Sequence, residues 1–368
     1  MLVNGKHYNT IWIDENDPGT IHTIDQRKLP FKFEIIQLKS FDDAYNAIKN
    51  MVVRGAPLIG VTAAYGMYLA IYKYNCKEHI DFYIQSISNK LKSARPTAVN
   101  LEFAVNKVVE KLKSETKIGK KVKVALQTAN NLKNKEVENS KKIGLNGLTL
   151  MKEISKKKNG KTINILTHCN AGWLACIDYG TATAPIYLAH DKGIKVHVWV
   201  DETRPRNQGA RLTAWELNQH KVPCTLITDN TGGLLMQKGL VDIVIVGSDR
   251  ILINGDVANK IGTYLKALAA KDNGIPFYAA LPSTSIDWNI SDGVKEIPIE
   301  ERSENEVKYM EGIGKYGFDN FLITDKNIKI KNYGFDITPS RLVTGLITER
   351  GICEANKKGI EKLFPEYF

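Results

Sequence analysis

The sequence predicts an α/β protein: a small, mainly helical N-terminal domain with a short β element, followed by a doubly wound parallel-sheet domain. Three observations carry this. From Thr162 onward, β-branched runs recur at 163–167, 196–201, 224–228, 242–246 and 276–281, most of them separated by a helix-length segment, which is the rhythm of βαβ units. Before Thr162 the apolar spacing is mostly that of helices with polar faces. The chain's 368 residues, 43% hydrophobic and 8% aromatic, suffice for two cores. The expected domains are 1–155 and 156–368.

Taken in order, 10–13 and 33–38 read as short strands separated by Asp, Pro and Gly. Ser40 is a plausible N-cap for a helix through Ala44, Ile48 and Val52, and a longer helix follows from 57 to 74. Helices at 98–115, 122–133 and 135–155 complete the first part. In the second part each strand is followed by polar residues: Asp201-Glu202-Thr203-Arg204-Pro205 after 196–200, Asp229-Asn230-Thr231-Gly232-Gly233 after 224–228, and Gly247-Ser248-Asp249-Arg250 after 242–246. Beyond Asp249, an Asn254-Gly255 turn leads to Asp256 as a candidate N-cap and to a helix whose first turn carries Asn259 and Lys260.

The net charge of +11 raises the question of a nucleic-acid partner. Its distribution answers it, because residues 90–161 hold 19 Lys and Arg against 6 acidic residues while the rest of the chain holds 32 against 34. With little aromatic interleaving, Lys111, Lys113, Lys120, Lys121 and Lys123 read as a solvated helical face. No nucleic-acid partner is expected, and no membrane, since no stretch approaches the length needed to cross a bilayer. The start shows no basic region followed by an apolar core, so a cytoplasmic location is expected. The cysteines at 76, 169, 176, 224 and 353 form no CxxC pair, so neither a disulfide framework nor a structural zinc site is expected. The strands are followed by no GxGxxG, and no P-loop, nucleophile elbow or HExxH occurs; no metal and no cofactor is expected.

The chemistry-bearing candidates cluster at strand ends and helix starts. Cys169 lies in Thr167-His168-Cys169-Asn170-Ala171-Gly172, just past a buried strand, where open α/β sheets bind ligands. The small Ala171 and Gly172 would let backbone amides approach an anion, although a buried structural thiol is the plainer reading of Cys169. Arg54-Gly55-Ala56-Pro57 places a guanidinium and free amides at a helix entrance, where Pro57 fits the first turn, and Arg95-Pro96-Thr97 repeats the arrangement. Asp249, with the amide of Asn259 and the ammonium of Lys260, makes a further polar cluster.

Together with Gln208-Gly209-Ala210-Arg211-Leu212 and Asn254-Gly255-Asp256, these motifs resemble the methylthioribose-1-phosphate isomerase family over nearly the whole chain. The resemblance extends to Phe335-Asp336-Ile337-Thr338-Pro339 and Ile347-Thr348-Glu349-Arg350-Gly351. It implies a Rossmann-like catalytic domain, a homodimer, a sugar phosphate as substrate, and a cofactor-free aldose–ketose isomerisation. It implies Cys169 and Asp249 as the catalytic pair, the latter kept protonated by burial. Arg54, Gly55, Ala56 and Arg95 would hold the phosphate, with Gln208, Asn259 and Lys260 also touching substrate. Related readings are a 5-deoxyribose-1-phosphate isomerase, a ribose-1,5-bisphosphate isomerase, which would need a second cationic grip, and a regulatory subunit of translation initiation factor 2B, which predicts loss of the catalytic pair. Ser248 and 230–233 differ from the family's commonest pattern and leave the preference for the 5-substituent open.

Overall fold

The β-branched runs of the second half pair into a seven-stranded sheet in the order Gly351–Cys353, Gly345–Thr348, Phe277–Ala280, Ile243–Val246, Ile163–Thr167, Val196–Asp201, Cys224–Ile227. The structure is a computed structural model that describes residues 1–75, 79–95 and 99–368. Cys76 and the Pro96, Thr97 and Ala98 of the second arginine–proline motif lie outside the described residues. Every pairing in the large sheet is parallel except that of Gly351–Cys353. The central strands Ile163–Thr167 and Ile243–Val246 are almost wholly buried, as strands covered on both faces must be. Their carboxyl ends open toward the first half of the chain.

That half begins with a two-stranded pair, Leu2–Val3 and Lys6–His7, followed by a three-stranded antiparallel sheet, Ile11–Ile13, Ile21–Ile24 and Ile35–Leu38. The middle strand, between turn-rich segments, escaped sequence reading. Ser40 caps Phe41–Lys49 as expected, its hydroxyl accepting from the Asp43 amide at 3.1 Å. The helix Ala56–Tyr72 is apolar all round, and Pro57 through Ile71 are buried, so it forms the axis of the N-terminal core. Val99–Leu112 packs beside it.

The structure corrects three expectations. The helices expected at 122–133 and 135–155 are one helix of 40 residues, Ile118–Lys157. No proline interrupts it, and its buried stripe passes from one core to the other: Ala125 and Ala129 pack with Ala56–Tyr72, while Ile143, Leu148 and Met151 belong to the core under the large sheet. Lys121 is no part of a solvated face. It is buried, donating to the Leu112 carbonyl at 2.9 Å and to Asp81 at 3.2 Å, and so satisfies the C-terminus of Val99–Leu112. Lys111, Lys113, Lys120 and Lys123 are exposed.

Asp256 does not start a helix. Arg250–Leu252 and Val257–Lys260 form an antiparallel hairpin across the Asn254-Gly255 turn, with Gly255 at φ +91°, and the helix begins only at Thr263. An Asn-Gly pair between β-prone residues is a stronger hairpin signal than a helix cap, and this turn chemistry prevails. Asp256 instead accepts from the Ser340 amide at 2.8 Å. The hairpin joins Phe335–Thr338 and Ile286–Asp287 in a four-stranded sheet beside the cleft.

Candidate active site

Arg54, Gly55, Ala56, Arg95, Cys169, Gln208, Asp249 and Lys260 all line one cavity of about 290 Å³. Asn259 opens on an adjoining recess that Cys169 and Asp249 also border. Residues scattered over more than two hundred positions therefore meet where the sheet's carboxyl ends face the N-terminal helices.

Cys169 is held in a conformation that side chains other than glycine seldom adopt. Its φ is +65°; its amide donates to Thr203 Oγ1 at 2.8 Å, and its carbonyl accepts from Thr213 Oγ1 at 2.6 Å. The buried thiol points at Gln208 Oε1, 3.3 Å away, with Arg54 Nη2 at 3.9 Å. Gln208 immediately precedes a π-helical turn, Gly209–Thr213, which aims the Gln208 amide and the Thr213 hydroxyl at the same loop.

Arg54 is buried, and its Nη1 donates to both the carbonyl and Oδ1 of Asn170, at 2.7 and 2.6 Å. Gly55, at φ +96°, starts the helix behind it, and a Cβ there would sit 2.4 Å from that of Ala175. Gly55→Ala is therefore expected to lower stability by about 3 kcal/mol, read by denaturant titration; an unchanged midpoint would refute the tight fit.

Arg95 Nε is buried and has no hydrogen-bond partner among the described residues, and the Arg95–Glu300 contact is long at 3.8 Å. Burial lowers the pKa of Arg95, partly opposed by Glu300 and Asp249. Lys260 is affected in the same way, with Cys169 and Asp249 pulling against desolvation. A cation desolvated in this way is one that an anion in the cavity would stabilise, since it would replace the lost hydration.

Two site expectations change. Asn259 and Lys260 are on a strand, so no helix dipole assists them; Lys260 projects from the hairpin, and Asn259 donates to Thr263 Oγ1 at 2.9 Å. Asp249 is exposed in the open cleft, where the sequence led us to expect burial, and its amide is bonded to the Ala258 carbonyl at 3.0 Å.

The group approached by the small residues after Cys169 is a carboxyl of the protein itself. A Cβ on Gly172 would lie 1.3 Å from Glu216 Oε1, and the Leu174 amide donates to Glu216 Oε2 at 3.3 Å. Burial pushes the Glu216 carboxyl up to about 8, with Leu174 and Arg54 opposing the shift.

Sequence reasoning missed the remainder of the lining. Met51, Ile59, Ile297, Pro298 and Phe335 supply an apolar wall, and Arg206, Arg250 and Arg302 add cations. Arg206 and Arg250 adjoin recognised motifs and were within reach, whereas 297–302 follows no strand end and carries no local signal. The extra arginines are paired: Arg206 with Glu306 at 3.1 Å, Arg250 with Asp287 at 3.3 Å, and Arg302 with Glu300 and Glu306 at 2.9 and 2.7 Å. Ser248 borders the recess beside Asn259 and donates to the carbonyls of Arg250 and Ala258, so it supports the hairpin, while Gly232 packs against Leu166 of the sheet.

His168, Asp201 and Asp229 present ligand atoms within 4.8 Å of one another, spacing that would suit a metal ion. The residues are otherwise engaged. Lys266 Nζ lies 3.2 Å from Asp201 and supplies the positive charge there, and His168 Nε2 is 2.8 Å from the Ile261 carbonyl. None of Asp201, Asp229 or Asp249 caps a helix; Asp229 accepts from the Thr203 and Arg204 amides at 2.8 and 2.7 Å.

The model of the Initiation factor 2 subunit family matches residues 52–355. A methylthioribose-1-phosphate isomerase from Desulfatibacillum aliphaticivorans is 56% identical over 366 residues, covering 100% of this chain and 99% of that protein. The crystal structure of 5-methylthioribose 1-phosphate isomerase from Pyrococcus horikoshii is 37% identical, with a TM-score of 0.84 over 98% of this chain and 97% of that one. That of translation initiation factor eIF-2B, subunit delta, from A. fulgidus is 36% identical, with a TM-score of 0.80 over 98% of this chain and 100% of that one.

Proposed function

This chain belongs to the Initiation factor 2 subunit family, and from that membership and its cleft we infer an aldose–ketose isomerase. It converts 5-methylthioribose 1-phosphate to 5-methylthioribulose 1-phosphate in methionine salvage. The observation that carries the site assignment is the placement of Cys169 and Asp249 on one cavity with the incompletely paired Arg95 and with Lys260.

The residue types suit the chemistry. The 1-phosphate blocks the anomeric oxygen, so the ring cannot open to a free aldehyde unaided, and the ring oxygen must be helped to leave. Asp249 donates a proton to that oxygen, and Cys169 removes a proton or steadies the charge developing at C1 and C2. Arg54, Arg95 and the amides of Gly55 and Ala56 hold the phosphate; Gln208, Asn259 and Lys260 orient the sugar. Either a base takes the C2 proton to give an enolate, or hydride moves directly from C2 to C1. The apolar wall of Met51, Ile59, Ile297, Pro298 and Phe335 favours the hydride route, because water would quench an oxocarbenium-like state.

That wall also favours a methylthio group over a second phosphate, since the additional arginines are occupied by Glu300, Glu306 and Asp287. Discrimination against 5-deoxyribose 1-phosphate should be weaker, about 1–3 kcal/mol for a small apolar group. The decisive experiment follows both sugars in heavy water by proton and phosphorus resonance. Conversion to ketose without deuterium at C1 is expected; folded protein that converts neither overturns the reading. Arg54→Ala should raise KM by about one to two orders of magnitude, as for loss of a charged hydrogen bond; an unchanged KM would remove Arg54 from the phosphate site. A homodimer, as the family resemblance implies, in the cytoplasm, as the start of the sequence suggests, completes the proposal, and sedimentation tests the pairing.

A further inference from the structure

We propose that Glu216 is a positioning residue of this site, fixing Arg54 and the Cys169 loop through the side chain of Asn170. The inference rests on the isomerase reading above for its kinetic consequences, while its geometry stands independently. Glu216 lies in the short helix Ala214–Gln219 beneath the loop that carries Cys169, and it is buried. Its Oε1 accepts from Asn170 Nδ2 at 3.1 Å, and its Oε2 from the Leu174 amide. Thr213, three residues earlier, also accepts from Asn170 Nδ2 at 3.1 Å while donating to the Cys169 carbonyl.

The Glu216 carboxyl group decides which way the Asn170 amide faces. With two acceptors, Glu216 and Thr213, on the Nδ2 side, Oδ1 is left to face Arg54 Nη1. Arg54 is thus aimed by a chain of three side chains whose far end is Glu216. Gly172 fits the same design, because no side chain at 172 could coexist with Glu216 Oε1. A buried carboxyl is costly, and an apolar residue would serve packing alone better, so packing does not account for it.

Glu216→Gln tests the idea, since the amide places a donor against either Asn170 Nδ2 or the Leu174 amide. It should raise KM, lower kcat, and reduce kcat/KM by about 10–100-fold, the scale expected for a misaimed site. Titration with inorganic phosphate should show affinity weakened about tenfold, as for one lost charge-assisted contact. Should the Gln variant fail to fold, Glu216→Asp, which keeps the carboxyl group but withdraws it by one methylene, carries the same expectation. Leu217→Ala, next along the helix and buried, is the control: it should lower Tm and leave KM and phosphate affinity unchanged. Parent-like KM and phosphate affinity in the Glu216 variant would overturn the proposal, as would a matching KM defect in Leu217→Ala. If the parent protein isomerises neither sugar, the isomerase reading falls, and the phosphate titration alone still judges Glu216.

Discussion

Cys169→Ser is expected to fold as the parent does and to turn over methylthioribose 1-phosphate about two to four orders of magnitude more slowly. Folding should survive because the loop is secured by backbone groups: the residue-169 amide on Thr203, its carbonyl on Thr213. Serine retains both and differs little in volume. Chemistry should not survive, because a hydroxyl is a far weaker acid than a thiol and cannot supply the same anion near Lys260 and Arg54. A full kinetic comparison with circular dichroism separates the two effects. An unchanged kcat would return Cys169 to the status of a buried structural thiol.

Asp249→Asn should produce a loss of similar size, again about two to four orders of magnitude, concentrated in kcat. The substitution preserves shape, and the hairpin bond from the residue-249 amide to Ala258 is untouched. What disappears is the ability to deliver a proton to the departing ring oxygen. KM should change little, because the phosphate is assigned to Arg54, Arg95 and the amides at 55 and 56. A variant with parent kcat would eliminate Asp249 as the acid. A large rise in KM alone would make it a binding residue.

The strands of the large sheet that the sequence predicted agree with the structure to within a residue at either end, because β-branched runs bounded by polar turns are a local signal. The helix Ala56–Tyr72 was legible for the same reason, with Pro57 in its first turn. The 256–260 segment was misread although its Asn-Gly turn was recognised, since the same dipeptide leads into either a helix or a returning strand until its partner is known. Lys121 looked like its exposed neighbours because nothing local indicates that its ammonium caps another helix.

At the site, the residue types at strand ends and helix entrances marked Cys169, Asp249, Arg54 and Arg95 as candidates, and their roles as catalytic pair and phosphate grip came from the family resemblance. Their environments were not so marked. Whether Asp249 is sheltered, whether Arg206, Arg250 and Arg302 are free to bind a second phosphate, and whether Gly172 admits substrate or Glu216 all depend on groups far away in the chain. Residue pattern therefore determined the fold class, the strand order's raw material and the candidate residues that the cleft brings together. Charge pairing, burial and the apolar wall came only with tertiary structure, since electrostatics and solvation depend on distance in space, and the chain sets that distance only by folding.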